Sequence, residues 1–305
     1  MIRQADETMR SGIRDNWKKC FTLDDPRYTD YFFRYVFRPE YFYVDYENNR
    51  DVAASICRVP HAVMFNGRVL QMSMLSHACT MPDYRNEGRM KKIIETAVDA
   101  CSHNELITLV GAVYGETYRP YGFEPIYYRT VYTLNRNEGA RLSTYGVMYE
   151  PHPIDMLKVY SKFIQRFNGF YARNVDDFAN LKREINARGG KVIACFNEKN
   201  QITGYATVLL EGKEAKIEEC IYMDSVTIGK LVSAAMQERA VINLHVSKAE
   251  NLSRLFPDAP YRDYPAVLAR LNEPRLFSKL FNREVRTIQE AFQLSSRPLY
   301  LNERI

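Results

Sequence analysis

Leu75-Ser-His-Ala-Cys-Thr-Met-Pro-Asp-Tyr-Arg-Asn-Glu-Gly-Arg-Met-Lys-Lys-Ile-Ile-Glu-Thr-Ala-Val98 is the stretch that decides how this chain folds. It reads as a strand, a short turn and the start of a helix. Pro82 cannot donate to a ladder and disfavours helix in the residue before it, so extended chain leads up to Met81. Gly88 permits a tight turn and a close approach of the backbone to a ligand. Beyond it Met90, Ile93, Ile94, Ala97 and Val98 recur at helical spacing and make one apolar face. A helix start offers unpaired N–H groups and a partial positive charge, the complement of a phosphate.

The charge at this turn runs against the usual preference. Basic residues are disfavoured in a first helical turn, yet Arg85, Arg89, Lys91 and Lys92 crowd this one. An anion resting on the turn would account for them, and so would a solvated basic face. The Arg85–Gly88 spacing adds little by itself, because Gly is 14 of 305 residues.

In its setting the turn Pro82-Asp-Tyr-Arg85-Asn-Glu-Gly88 resembles the acetyl-coenzyme A signature of the GNAT superfamily of N-acetyltransferases, Arg/Gln-x-x-Gly-x-Gly/Ala. Arg85 and Gly88 match its first and fourth positions, and Met90 replaces the small last residue. Further on, Tyr114-Gly-Glu-Thr-Tyr118-Arg-Pro-Tyr121-Gly122-Phe123 resembles the family's Tyr-x-x-aromatic-Gly-aromatic segment, in which a short helix ends at a glycine. Tyr118 alone would read as a packed aromatic. The two motifs follow one another in the family's order.

Around these motifs the chain reads in sequence as follows. Residues 2–5 form a first strand, and Asp6 caps a helix over 7–20. Asp24-Asp25-Pro26 opens a second helix reaching Phe37. Strands follow at 41–46, 52–58 and 61–65, with Asn66-Gly67 as a hairpin turn before a strand over 69–81. Helix 89–102 and the apolar strand 106–113 complete the first set. After a polar linker at 135–143 the order returns: helices 153–167 and 175–188, strands 191–197, 203–210 and 215–222, helix 225–238 and strand 241–246. The fold class expected is therefore α/β (α+β), with two tandem GNAT-like domains built on mixed, mostly antiparallel sheets. Tyr264–Leu271 resembles the strand that opens a sterol-carrier-like domain, and too few residues follow it for a separate core. The expected division is 1–135 for an acetyl-CoA-binding domain, 144–256 for a second GNAT-like domain without the coenzyme motif, and 257–305 for a shortened sterol-carrier-like segment.

With two such halves and that tail, the chain resembles the tandem acetyltransferases of the enhanced-intracellular-survival type. The resemblance implies an enzyme moving an acetyl group from acetyl-CoA to a primary amine. It implies that Ala78, Cys79 and Thr80 present backbone groups to the pantetheine arm. Arg85, Asn86, Glu87, Gly88, Arg89, Met90 and Lys91 would surround the pyrophosphate, chiefly through main-chain N–H groups, and Val113 and Tyr114 would lie along the coenzyme near its thioester. Tyr118 would serve the leaving thiolate, and the terminal carboxylate of Ile305 would be the base. Tyr28 and Tyr31 read as core aromatics; the family's helical pair at this place walls the acceptor site, which beside Asp24 and Asp25 would suit a cationic amine. A longer acyl donor, as in N-myristoyltransferases, and a non-catalytic binding module are the alternatives.

Composition narrows the classes. The net charge is +5, with no long basic run carrying interleaved aromatics, so nucleic acid is not an expected partner. No run approaches the roughly 18 apolar residues of a membrane span, and the first residues lack an apolar signal core, so a cytoplasmic protein without membrane partners is expected. The six cysteines and five histidines are scattered, without zinc spacing, so no metal and reduced thiols are expected. The residues leave the oligomeric state open, while the resembled family commonly assembles into homo-oligomers.

Overall fold

Alternating apolar residues from Phe42 onward build three antiparallel strands, β2 (Phe42–Glu47), β3 (Asp51–Phe65) and β4 (Arg68–Thr80), preceded by β1 (Ile2–Gln4), which pairs with β2. The computed structural model describes residues 1–22, 25–47, 51–139 and 142–302. Asn66 and Gly67 both have positive φ, 47° and 74°, the geometry a two-residue hairpin needs to follow the strand twist. Where two strands are expected from the sequence, β3 runs unbroken through Pro60. Pairing with β2 stops at Cys57, so that ladder needs no N–H from Pro60.

The chain divides into two units, the first comprising Met1–Tyr127 and Pro265–Ser296, the second Tyr128–Tyr264 and Arg297–Asn302. In the first, α1 (Arg10–Cys20) and α2 (Pro26–Tyr31) cover one face of the sheet. Their core holds Ile13, Trp17, Phe32, Phe33, Phe42 and Val44. Asp6 and Asp25 act as the expected caps, accepting from the N–H groups of Thr8 and Arg27; Asp24 lies outside the described residues. On the other face α3 (Arg89–Ser102) buries Ile93, Ile94, Ala97 and Val98 against Ala54, Ile56, Leu75 and Val110. This is the apolar stripe read from the sequence. β5 (Ile107–Gly111) pairs parallel with β4, and α4 (Gly115–Tyr118) leads toward β6 (Glu124–Leu134).

The second unit takes up the chain within β6 and repeats the plan. After α5 (Arg136–Gly139), β7 (Val147–Tyr149), α6 (Pro153–Phe163), β8 (Phe170–Tyr171) and α7 (Val175–Ala187) come three antiparallel strands, β9 (Lys191–Phe196), β10 (Ile202–Glu211) and β11 (Glu214–Tyr222). Helix α8 (Ser225–Glu238) then crosses to β12 (Val241–Ser247), which is parallel to β11 as β5 is to β4. Strand β13 (Tyr261–Leu271) leaves the second unit, and from Pro265 it belongs to the first, where Val267–Leu271 pair antiparallel with β5. Helices α9 (Pro274–Phe281) and α10 (Ile288–Phe292) follow, and Phe277, Phe281 and Phe292 surround Phe65. Each unit is thus a mixed α/β layer on a mostly antiparallel sheet.

Ile94 is fully buried under α3. Ile94→Ala is expected to destabilise the protein by about 2–5 kcal/mol, from lost transfer energy plus the cavity left behind, as measured by urea unfolding.

Candidate functional site

The parallel pairing of β4 with β5 is short. It joins Ser73–Leu75 to Thr108–Val110 and ends there, while β4 continues to Thr80. His77 interrupts β4 with a φ of 48°, next to a register shift opposite Ser55–Cys57. Its ring stacks on Trp17 at 3.6 Å and 22°, which holds this bulge against α1. Beyond the bulge Ala78 packs against the α3 core. Cys79 and Thr80 are buried, and the Thr80 Oγ1 has no hydrogen-bond partner among the described residues.

The turn into α3 carries two left-handed residues, Asn86 with φ 67° and Gly88 with φ 73°. Gly88 is the N-cap residue, and no side chain caps the helix. The first-turn N–H groups therefore lack the usual carboxylate or hydroxyl at their mouth. Alternating left-handed residues also tilt successive N–H groups toward a common point, as in anion-binding nests. A Cβ at Gly88 would meet nothing within 4 Å, so the glycine answers to the backbone angle rather than to crowding. Met90, which stands where the signature has a small residue, packs its side chain against the core with Ile93 and Ile94.

The four cations of this turn have different neighbours. Arg89 donates to Asp45 at 2.9 Å, Glu47 at 2.7 Å and Glu87 at 2.8 Å, and its guanidinium lies over the Tyr84 ring. Glu87 first, then Glu47 and Asp45, hold its pKa above the ordinary arginine value. Arg89 is therefore an internal tie between α3 and β2. Arg85 donates from Nε to the Thr80 carbonyl at 3.3 Å, and Lys91 and Lys92 are exposed. Nothing in the sequence marks Asp45 and Glu47 as Arg89's partners, since they alternate with apolar residues as any strand carboxylate does.

Tyr118 ends α4, buried in the same core cluster as Leu75, Val110 and Phe123, with Ala78 and Ala112 packed against it. Its ring meets Phe123 edge-on at 5.8 Å. Burial above all, and then the nearby Cys79 thiol and Tyr121, push its phenol well above the usual range. Gly122, with φ 83°, ends the turn as expected from the motif. Val113 is exposed on the turn after β5, and Tyr114 follows it there. Ile305 lies outside the described residues. Tyr31 is buried, Tyr28 packs on the α1–α2 core, and the Asp25 carboxylate is engaged by Arg27.

The corresponding place in the second unit is closed. Pairing of β11 with β12 also stops early, at Ile217–Leu244, yet α8 is capped by Asp224, whose carboxylate accepts from the Thr227 N–H at 2.7 Å. Past the parting, the chain's own tail moves in. Asn302 bonds Glu219 at 3.0 Å, Ser247 donates to the Leu299 carbonyl, and Tyr300 is buried against Phe163 and Phe167. The little-exposed side chain of Arg173 ties this segment down, paired with Glu219 at 2.8 Å and donating to the Asn302 carbonyl at 2.6 Å. Among the described residues no cluster of His, Cys, Asp and Glu could hold a metal ion, and no helix is long and apolar enough to cross a membrane.

Residues 1–126 match the family described as acetyltransferase (GNAT) domain, ending one residue short of the first unit's boundary at Tyr127. Among solved structures the chain is similar to a conserved protein of Enterococcus faecalis described as a probable N-acyltransferase, with a TM-score of 0.75 and 14% identity over 91% of this chain and 74% of that one. It is also similar to a GCN5-related N-acetyltransferase of Anabaena variabilis (TM-score 0.73, 16% identity, 93% and 75% covered). A third similar structure is Eis1 of Mycobacterium abscessus (0.67, 12%, 91% and 75%). These likenesses extend over both units and show the fold. No curated protein sequence matches the chain.

Because Gly88 has open space and a left-handed φ, Gly88→Ala should cost about 1–2 kcal/mol of stability in urea unfolding, the penalty of that backbone region for a residue with a Cβ. An unchanged midpoint would mean that the turn relaxes out of the left-handed region.

Proposed function

We propose that the first unit binds acetyl-coenzyme A and transfers its acetyl group directly to a primary amine in a ternary complex. The observation that carries this reading is the uncapped, left-handed start of α3 beside a strand, β4, that runs on past the end of its parallel neighbour. The main-chain N–H groups of Asn86–Lys91 are suited to a diphosphate. The unpartnered Thr80 Oγ1 fits a polar arm laid along β4, with Ala78 and Cys79 beside it. Val113 and Tyr114 would then follow the coenzyme toward its thioester. The match of residues 1–126 supports this choice of donor over a pure binding module. In the same reading the second unit binds no coenzyme, and residues 257–305 are a shortened sterol-carrier-like segment.

In the reaction the amine nitrogen attacks the thioester carbon, the C–S bond breaks and sulfur leaves with the electron pair. A thiol's pKa near 8.5 lies below that of an ordinary phenol, about 10, and burial raises Tyr118 further. Tyr118 therefore keeps its proton and acts by a hydrogen bond that strengthens as charge develops on sulfur. An acceptor amine loses its proton to a base, for which the terminal carboxylate of Ile305 is our proposal.

Tyr118→Phe should lower kcat by about 10²–10³-fold, the range seen when one preorganised donor is removed, with little change in the dissociation constant for acetyl-CoA from calorimetry. An unchanged rate removes Tyr118 from the mechanism, and absence of any heat with acetyl-CoA removes the donor. Since the pKa of Tyr118 is raised, the neutral donor persists beyond the usual phenol range. The wild-type rate should then rise as the amine deprotonates and show no alkaline fall up to about pH 10. Deleting the last three residues should abolish turnover; full activity in a folded truncated protein would exclude the terminal base.

A further inference from the structure

We propose that Cys20 and Cys79 form a reversible disulfide, a redox modification site where the end of α1 meets the end of β4. The two sulfurs share a neighbour: Cys20 Sγ lies 3.3 Å from Asn16 Oδ1 and Cys79 Sγ 3.2 Å from the same oxygen. Asn16 is fully buried, and its Nδ2 donates to Ser55 Oγ at 3.3 Å. Ser55 in turn contacts Cys79 Sγ at 3.4 Å. Cys20 also reaches the Thr80 carbonyl at 3.3 Å, the atom that accepts from Arg85 Nε. One turn of helix and a strand end are thus stitched together around two sulfurs.

The two cysteines differ in a way that assigns their roles. Cys20 is partly exposed, whereas Cys79 and the other four cysteines are buried. A hydrogen bond from Cys79, and then the Arg85 guanidinium, pull the Cys20 thiol down to about 7, while its partner is held well above the usual thiol range. An accessible thiolate beside an electropositive group and a second, protonated thiol is the arrangement of attacking and resolving cysteines. With a low-molecular-weight disulfide as oxidant, the Cys20 thiolate attacks one sulfur and forms a mixed disulfide, releasing one thiolate. Cys79 then gives its proton to that thiolate and attacks Cys20 sulfur, releasing the second. Two protein thiols are oxidised and one small disulfide is reduced to two thiols.

One consequence rests on the proposed function: Cys79 belongs to the strand read there as the pantetheine rest, so closing the bond would shift that strand and weaken acetyl-CoA binding.

The full chain is titrated with glutathione disulfide and mapped by mass spectrometry. The expected result is one intramolecular link between Cys20 and Cys79, a mass lower by two hydrogens, and full reversal by dithiothreitol. Cys79→Ser should instead retain glutathione on Cys20, and Cys20→Ser should leave Cys79 unmodified in the folded protein. Failure of the native protein to lose two thiols, or a link through any other cysteine, would overturn the proposal. Calorimetry of reduced and oxidised protein with acetyl-CoA separates the two claims. Binding lost only on oxidation supports the coupling, and equal binding by both forms refutes it. No binding by the reduced form refutes the coenzyme reading and the coupling with it, while the disulfide stands on its own measurement.

Discussion

The first turn of α3 begins at a residue that has no side chain with which to close it. A helix start must satisfy its leading N–H groups, and at several other starts in this protein local side chains do so: Asp6, Asp25, Asn174, Asp224 and Thr287 each accept from the backbone two or three residues on. At Gly88 the backbone goes left-handed instead, and the acidic side chain nearest at hand, Glu87, is turned to Arg89. The surrounding architecture keeps the mouth of the helix in place. Arg89 ties it to β2 through Asp45 and Glu47, Ile93, Ile94 and Ala97 beneath it are fully buried, and β4 runs on past the end of β5.

The second unit is the internal control for this arrangement. It has the same antiparallel strands, the same crossover helix and the same brief parallel pairing. Its helix start carries a carboxylate cap, and the far end of β11 is bonded to Asn302 and flanked by the buried Tyr300. A repeated fold thus has one open mouth and one closed by its own residues. The difference lies in a few side chains rather than in topology, which is why fold likeness to solved structures does not by itself assign chemistry to either unit.

How much of this could be read beforehand follows from the range of the forces involved. Helices 89–102 and 225–238 have the bounds expected from apolar spacing, and the Asn66-Gly67 hairpin follows from backbone preference alone. The motifs marked Gly88 and Tyr118; Gly88 is left-handed at the start of α3 and Tyr118 ends α4. Pairings between distant residues left no such trace. Strand β13 completes the first unit beside β5 although about 150 residues separate them, a choice made by edge pairing rather than by period. The carboxylates that take up Arg89, the shared neighbour Asn16 and the His77 bulge were equally silent, because a polar residue in an alternating strand looks the same whether it faces water or a partner.

Amide chemical shifts test the central claim most directly. With backbone N–H resonances assigned, acetyl-coenzyme A should move those of Asn86–Lys91 strongly and leave those of Ser225–Thr227, at the capped helix of the second unit, in place. Unmoved resonances at 86–91 alongside measurable binding would contradict the assignment of that turn to the diphosphate.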